Sequence, residues 1–303
     1  MKYSKLQLKL KYGQTISGCW ERKSYTITRL IGRGGTGVVY LVKDQRGVPW
    51  AMKISTDVAS ITHEHRILRF LNNCRGISGL PIVPKVMELD DFQVGGQVYH
   101  YIITQYCRGA NLGKYSGGVS LYNAAVIGQQ VAEFLTRLHD QGFVFGDLKP
   151  CNLVCDFKSG MVNIVDFGSV TIKGQALKQY TPGYDRLSWG AGTRIADESY
   201  DVFALGLLLS TIILGKSSGA NKTGLPSLIS RASCKIYNPM LKETITGILK
   251  QENLSAHDVA DNLSLIIEEE QSIGYIGANA WFVRIVGAAS AAAFILSWAY
   301  YYQ

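Results

Sequence analysis

The spacing of apolar residues changes along the chain, and those changes mark its elements. Tyr25-Thr-Ile-Thr-Arg-Leu-Ile reads as a strand running into glycines, and the alternating Val38-Val39-Tyr40-Leu41-Val42 reads as the return strand. Val48-Pro-Trp-Ala-Met-Lys53-Ile and Tyr99-His-Tyr-Ile-Ile-Thr104-Gln have the same β-like character. Residues 1–24 carry shorter β-like patches such as Gln14-Thr-Ile-Ser, which suit an arm or strand packed on the next lobe. Ile61, Ile67, Leu68 and Leu71 fall at helical spacing. The short segment behind them predicts a truncated helix. Tyr122 to His139 is a clear amphipathic helix closed by Gln141-Gly142, a favoured C-terminal stop. Tyr200-Asp-Val-Phe-Ala-Leu-Gly-Leu-Leu-Leu reads as a buried helix, and small helices continue to about Glu270.

The pattern ends differently. Ile285 to Tyr302 is eighteen residues without a charge. As a helix it spans about 27 Å at ~1.5 Å per residue, just short of a ~30 Å hydrocarbon core. Arg284 can snorkel at one end, and Trp298 with Tyr300–Tyr302 suits an interface belt at the other. Gly287, Ser290 and the alanines make a small-residue face able to pair helices. An Ala-rich helix docked on the rest of the chain is the alternative. The absence of a polar face favours a tail anchor.

Length and charge narrow the picture. The 303 residues suit a two-lobed domain with an appendage. Met1 to Tyr12 has no apolar core, so no export signal is read there, and almost nothing lies beyond the anchor. Any stimulus is therefore expected in the cytosol or the membrane. Cys19, Cys74, Cys107, Cys151, Cys155 and Cys234 form no CxxC pair and read as reduced thiols. The net charge is +8, and in the first thirty residues seven cations face Glu21 alone. Such a run suits an anionic partner, membrane or nucleic acid, and suits a solvated face equally well.

The chemistry lies in Phe145-Gly-Asp147-Leu-Lys149-Pro-Cys-Asn152 and Asp166-Phe-Gly168. Asp147 can accept a proton from a hydroxyl nucleophile. Asn152 and Asp166 offer hard oxygen ligands for Mg²⁺, and Lys149 can neutralise a moving phosphate. Upstream, Gly32-Arg-Gly34-Gly-Thr-Gly37 can drape backbone N–H groups over phosphates. Alone, that motif could equally open a Rossmann helix; the β-branched return strand argues for a hairpin with Thr36 at its tip. Lys53 lies at the distance of a phosphate-contacting strand lysine.

In this combination the chain resembles a Hanks-type protein kinase. The resemblance implies an α+β, two-lobed fold, with a β-rich N-lobe over 25–106 and a helical C-lobe over 107–270. A basic extension (1–24), a juxtamembrane linker (271–284) and the transmembrane tail (285–302) complete the division. It implies ATP and Mg²⁺ as cofactors and protein substrates with Ser/Thr acceptors, Lys149 before Pro150 being the Ser/Thr form of the loop. Glu64, rather than Glu88, would fix Lys53. Thr104 would line the back of the adenine pocket, Val39 and Ala51 would cover the ring, and the backbone at Gln105–Cys107 would meet its edge. Thr181, in Thr-Pro-Gly-Tyr, would bridge Asp147 and Lys149, and Asp201 would accept backbone N–H bonds from the catalytic loop.

Three departures accompany the resemblance. Phe145-Gly146 stands where His-Arg is usual; the Phe can fill the apolar slot, and the missing Arg predicts no phosphate-gripping activation loop. The Ala-Pro-Glu close of the activation segment is missing, and Asn253-Leu-Ser255-Ala256 lacks the Arg that would pair with its Glu. Losing both partners together reads as a substituted lock. Tyr184-Asp-Arg-Leu-Ser-Trp-Gly-Ala-Gly-Thr-Arg194 stands in its place. With Phe-Gly-Asp-Leu-Lys-Pro, that stretch is similar to the membrane-anchored YabT-type sporulation kinases of spore-forming Gram-positive bacteria. This implies DNA binding and stimulation, through the N-terminal run and Lys173, Lys178, Arg186, Arg194, Lys216 and Lys222. It also implies a cell-membrane location with a cytoplasmic kinase domain, and leaves room for a homodimer that autophosphorylates in trans. A pseudokinase scaffold and a small-molecule or lipopolysaccharide-type kinase are the other two readings.

Overall fold

The computed structural model describes residues 8–115, 118–215 and 224–272. The alternating segments build one antiparallel sheet from β1 (Thr15–Ser17), β2 (Ser24–Gly34), β3 (Gly37–Lys43), β4 (Pro49–Ser55), β5 (Val86–Val94) and β6 (Gln97–Gln105). Its strand order is β1-β2-β3-β4-β6-β5, so the chain preceding residue 25 forms one edge. The period of two divides the faces. Val38, Tyr40, Val42, Met52 and Ile54 enter a core with Tyr101 and Ile103. Val39, Ala51 and Lys53 then fall on the opposite side, above the second lobe. Two register shifts bend β2 just before the glycines. Gly37 begins β3 at φ +154°, where a Cβ would stand 2.2 Å from the Ile54 carbonyl oxygen.

The helix after β4, α1 (Val58–Asn73), has sixteen residues and is not truncated. The brevity lies in the connection. Asp57 caps the helix two residues after the strand ends, accepting from the N–H groups of Ala59 and Ser60 at 3.1 Å each. Its own N–H donates to Ser55 Oγ at 3.0 Å. The buried face of α1 carries Ile61, Glu64, Ile67, Leu68 and Leu71.

The second lobe is helical. Short β7 (Ala110–Asn111) leads to α2 (Leu121–Asp140), capped by Ser120 and stopped at Gly142 with φ +80°. β8 (Phe143–Val144), β9 (Leu153–Asp156), β10 (Met161–Ile164) and β11 (Thr171–Ile172) come next and form two small antiparallel sheets, β7-β9-β10 and β8-β11. α3 (Glu198–Leu214) is buried on nearly every side, which accounts for its almost continuous apolar sequence. It packs on α2, α4 (Gly224–Lys235) and α5 (Pro239–Lys250), and α6 covers residues 256–272. The expected tail anchor over 285–302 lies outside the described residues. Among the described residues no helix is long and apolar enough to cross a membrane.

Candidate active site

A cleft of about 720 Å³ opens between the sheet and the helical lobe, and every candidate site residue read from the sequence lines it. Gly32, Gly34, Gly37, Val39 and Ala51 form the roof, and Thr104, Gln105 and Cys107 line the wall where the lobes join. The Gln105 N–H is bonded to the Lys85 carbonyl at 2.8 Å. Burial pushes the Cys107 thiol up to about 11, so it meets the cleft as a neutral group. Ile31, Leu68, Ile102, Val154 and Val165 also line the cleft. Their sequence signal is ordinary core apolarity, which does not distinguish a pocket wall from any other packed residue.

Charge is concentrated at the inner end. Lys53 Nζ lies 2.6 Å from Glu64 Oε2 and 3.1 Å from Asp166 Oδ1. Burial opposes ionisation of all three, and the cluster answers it unequally. Lys53 is held above its ordinary range because Asp166 and Glu64 outweigh its burial. Asp166 stays below the carboxylate range through Lys53 and the Gly168 N–H. Glu64 is pushed up by burial, which Lys53 only partly counters. Glu88 is absent from this cluster; it is buried beside Lys23, at 2.7 Å, and the Tyr101 hydroxyl, at 3.2 Å.

The catalytic loop is held from below. Asp201, fully buried at the start of α3, accepts from the N–H groups of Phe145 (2.6 Å) and Gly146 (2.9 Å) and contacts His139 Nε2 at 3.0 Å. Phe145 fills the apolar slot, edge-on to Phe134 and Phe167 with centroids 6.3 and 5.9 Å away. Asp147 pairs with Lys149, whose Nζ also donates to Thr181 Oγ1 at 2.9 Å. Burial raises the Asp147 pKa against the pull of Lys149. Its Oδ1 is buried and has no hydrogen-bond partner among the described residues. Asn152 Nδ2 donates to the Asp147 carbonyl at 3.0 Å, leaving the Asn152 amide oxygen as an acceptor.

The activation segment carries its own lock. Asp185, fully buried, accepts from Arg194 Nε (2.9 Å) and Nη2 (2.7 Å), from the Tyr200 hydroxyl (2.9 Å) and from the Ser188 N–H (3.0 Å). Arg186, also buried, reaches Asp197 at 2.6 Å. Arg194 in turn lies over the Tyr180 ring, 3.8 Å from its centroid, one residue before Thr181. Gly146 sits at φ +82°, and a Cβ there would be 2.8 Å from Leu177 Cδ2. Leu177 packs with Val144, Ala196 and Tyr200, so an apolar contact occupies the place where a basic side chain would begin. Three of the lower-lobe cations expected to meet an anionic partner also pair within the fold. Lys173 pairs with Glu198, and Arg186 and Arg194 are engaged by carboxylates within the segment. Lys178 lines the cleft, and Lys216 and Lys222 lie outside the described residues.

A glycine hairpin over a lysine–carboxylate cluster, facing a half-buried aspartate on a clamped loop, defines a phosphotransferase cleft between two lobes. Comparison gives the family: the protein kinase domain matches residues 25–263, and the chain belongs to it. Within that family it is a serine/threonine protein kinase. It is 33% identical over 263 residues to the serine/threonine-protein kinase YabT of Bacillus subtilis, covering 85% of this chain and 76% of that one. It is 28% identical over 257 residues to the serine/threonine-protein kinase PrkC of the same organism, covering 78% of this chain and 37% of the relative. The structure of vaccinia related kinase 3 superposes with a TM-score of 0.65 at 10% identity, over 88% of this chain and 94% of that one, a likeness of fold alone.

Proposed function

We propose that the kinase transfers the γ-phosphoryl group of Mg·ATP to Ser/Thr hydroxyls of proteins, with Asp147 as the base. The observation that carries this is the buried, unpartnered Asp147 Oδ1 beside the Lys149–Thr181 contact. A buried acceptor without a donor is costly, and an incoming hydroxyl satisfies it. Burial raises the proton affinity of Asp147, which suits a base, and Lys149 opposes that rise.

The donor set suits Mg²⁺. Asp166 and the Asn152 amide oxygen are two hard ligands, the number this cation takes from protein when phosphates supply the rest. Bound Mg·ATP would supply the phosphoryl group and neutralise part of its charge. Gly32, Gly34 and Gly37 would let the roof approach the phosphates, and Lys53, fixed by Glu64, would reach them. Val39 and Ala51 would cover the base, with Thr104 behind it. The Gln105 carbonyl and the backbone at Cys107 would meet its edge, since the Gln105 N–H is already engaged. Thr181 would set the distance between the acceptor and Asp147.

Phosphate transfer from labelled ATP to a generic protein acceptor, by the full chain and by Asp147→Asn, tests the reading. Label that disappears in the variant is expected. Mg·ATP binding with no transfer under any condition would favour a scaffold, and label on a soluble metabolite alone would favour a small-molecule kinase.

Anchoring by residues 285–302, with the kinase domain in the cytoplasm, is part of the same proposal. It is supported by the charge-free tail and the flanking Arg284. Full chain released by alkaline extraction of membranes would refute it. Stimulation by DNA, if backbone-driven through the N-terminal cations, should weaken steeply with salt. No binding at low salt would assign the basic run to anionic lipid. Pairing of tails into a homodimer would appear as crosslinking lost on replacing Gly287 with Leu.

A further inference from the structure

The kinase domain match begins at residue 25, yet the sheet begins at Thr15 and its core reaches back to Leu8. Residues 8–24 are laid onto the small lobe by bonds along their whole length. The Gly13 N–H donates to the Ile27 carbonyl at 2.9 Å, the Ile27 N–H to Gln14 O at 2.8 Å, and the Cys19 N–H to Asp91 O at 2.8 Å. Asp90, a buried carboxylate on β5, accepts from the N–H groups of Trp20 (3.0 Å) and Glu21 (2.8 Å). At Gly18 a Cβ would lie 2.1 Å from Asp90 Oδ2, so glycine is required for the arm to reach this anchor.

The other end of the arm meets the Gly-rich hairpin. The Tyr40 hydroxyl, buried on β3, accepts from the Leu10 N–H at 3.1 Å and donates to the Leu8 carbonyl at 3.3 Å. Arg33, between Gly32 and Gly34 in the roof of the cleft, donates from Nη2 to the same carbonyl at 3.4 Å. One arm carbonyl therefore takes bonds from both strands of the hairpin. The arm is anchored at Asp90 on one side and by buried Leu8 on the other, so it presents a fixed partner. At the hairpin tip itself nothing lies within 4 Å of where a Cβ of Gly34 or Gly35 would be, while behind it the Ile31 carbonyl accepts from Lys114 Nζ at 3.0 Å.

We propose that residues 8–24 are a built-in brace of the Gly-rich hairpin, with Tyr40 as the positioning residue that joins them and sets the roof of the nucleotide cleft. The nucleotide part rests on the Mg·ATP site proposed above. Tyr40→Phe in the full chain keeps the ring and removes both hydroxyl bonds. Loss of bonds of this kind is expected to raise the Mg·ATP Kd, read by direct titration, about fivefold. At saturating nucleotide kcat should hold, as should KM for the protein acceptor. Amides of Gly34, Gly35 and Thr36 should exchange faster in the nucleotide-free variant. Leu8→Asp, which drives the arm out of the core, should reproduce both effects, and the double variant should add little to the larger single one.

A Kd or a tip exchange rate that stands still overturns the proposal, even if the melting temperature falls, because a merely structural arm would change stability alone. The exchange measurement needs no nucleotide. A wild-type chain that bound no Mg·ATP would refute the nucleotide reading, and exchange would still decide the brace.

Discussion

Asp147 and Lys149 show how two side chains two positions apart set each other's chemistry. Burial raises the Asp147 pKa, and Lys149 is the main opposing influence. Removing that cation in Lys149→Met leaves burial opposed only by the weaker pull of the Thr181 hydroxyl, so the carboxylate protonates at higher pH. The acid limb of the kcat/KM profile for the protein acceptor should therefore move to higher pH than in wild type. Asp147→Asn should lower kcat by about 10²–10⁴ while nucleotide affinity, measured by titration, is kept. These residues were legible because phosphoryl transfer needs particular atoms at particular spacings. The cleft walls Ile102, Val154 and Val165 were not, since apolarity serves a core as readily as a pocket.

The activation segment replaces two of the features a kinase of this kind usually carries. Gly146 and Leu177 put an apolar contact where an arginine would await a phosphate. Phosphatase-treated protein should thus keep its activity, as should Thr171→Ala, whereas Leu177→Ala should lower kcat. Gly146→Arg should not restore a switch; it forces a left-handed backbone on a residue with a Cβ and displaces Leu177, and thermal unfolding should show a loss of about 1–3 kcal/mol. Asp185→Asn breaks the Arg194 pair at its buried end and should cost about 3 kcal/mol near neutral pH, read by denaturant unfolding. Asp185 is held below its ordinary pKa by Arg194, Ser188 and Tyr200 despite its burial. Its contribution is therefore complete above the unfolded carboxylate value of about 3.9 and is lost as pH falls through the lower folded value. The wild-type advantage over Asp185→Asn should narrow in strong acid. The missing Glu and Arg, with Tyr184–Arg194 in their place, could be read from the sequence as a substituted lock. Which of its residues pair could not, because Asp185 and Arg194 meet only after the segment folds back on itself.

For the whole molecule, three of the lower-lobe cations that look available in the sequence are paired in the fold. Lys173, Arg186 and Arg194 each face a carboxylate, so any anionic partner has the N-terminal run, with exposed Lys9, Lys11 and Arg22, as its broader target. Reversing Lys9 and Lys11 to Glu should reduce duplex-DNA affinity at low salt far more than Arg186→Gln measured in protein shown to be folded.

By itself the sequence determined the family, the two-lobed division and the chemistry-bearing side chains. Those arise from local spacing, from residue types with few substitutes, and from apolar periods that belong to one element at a time. The tertiary structure alone decided that α1 is full length behind a shortened connection, and that Glu88 turns away to Lys23. The strand character of the segment before residue 25 was legible in Gln14-Thr-Ile-Ser; the fold decided that it pairs with β2 and is tied to Asp90 and Tyr40. Each of these depends on which groups compete for the same buried space and the same hydrogen bonds, and that competition exists only between residues far apart in the chain.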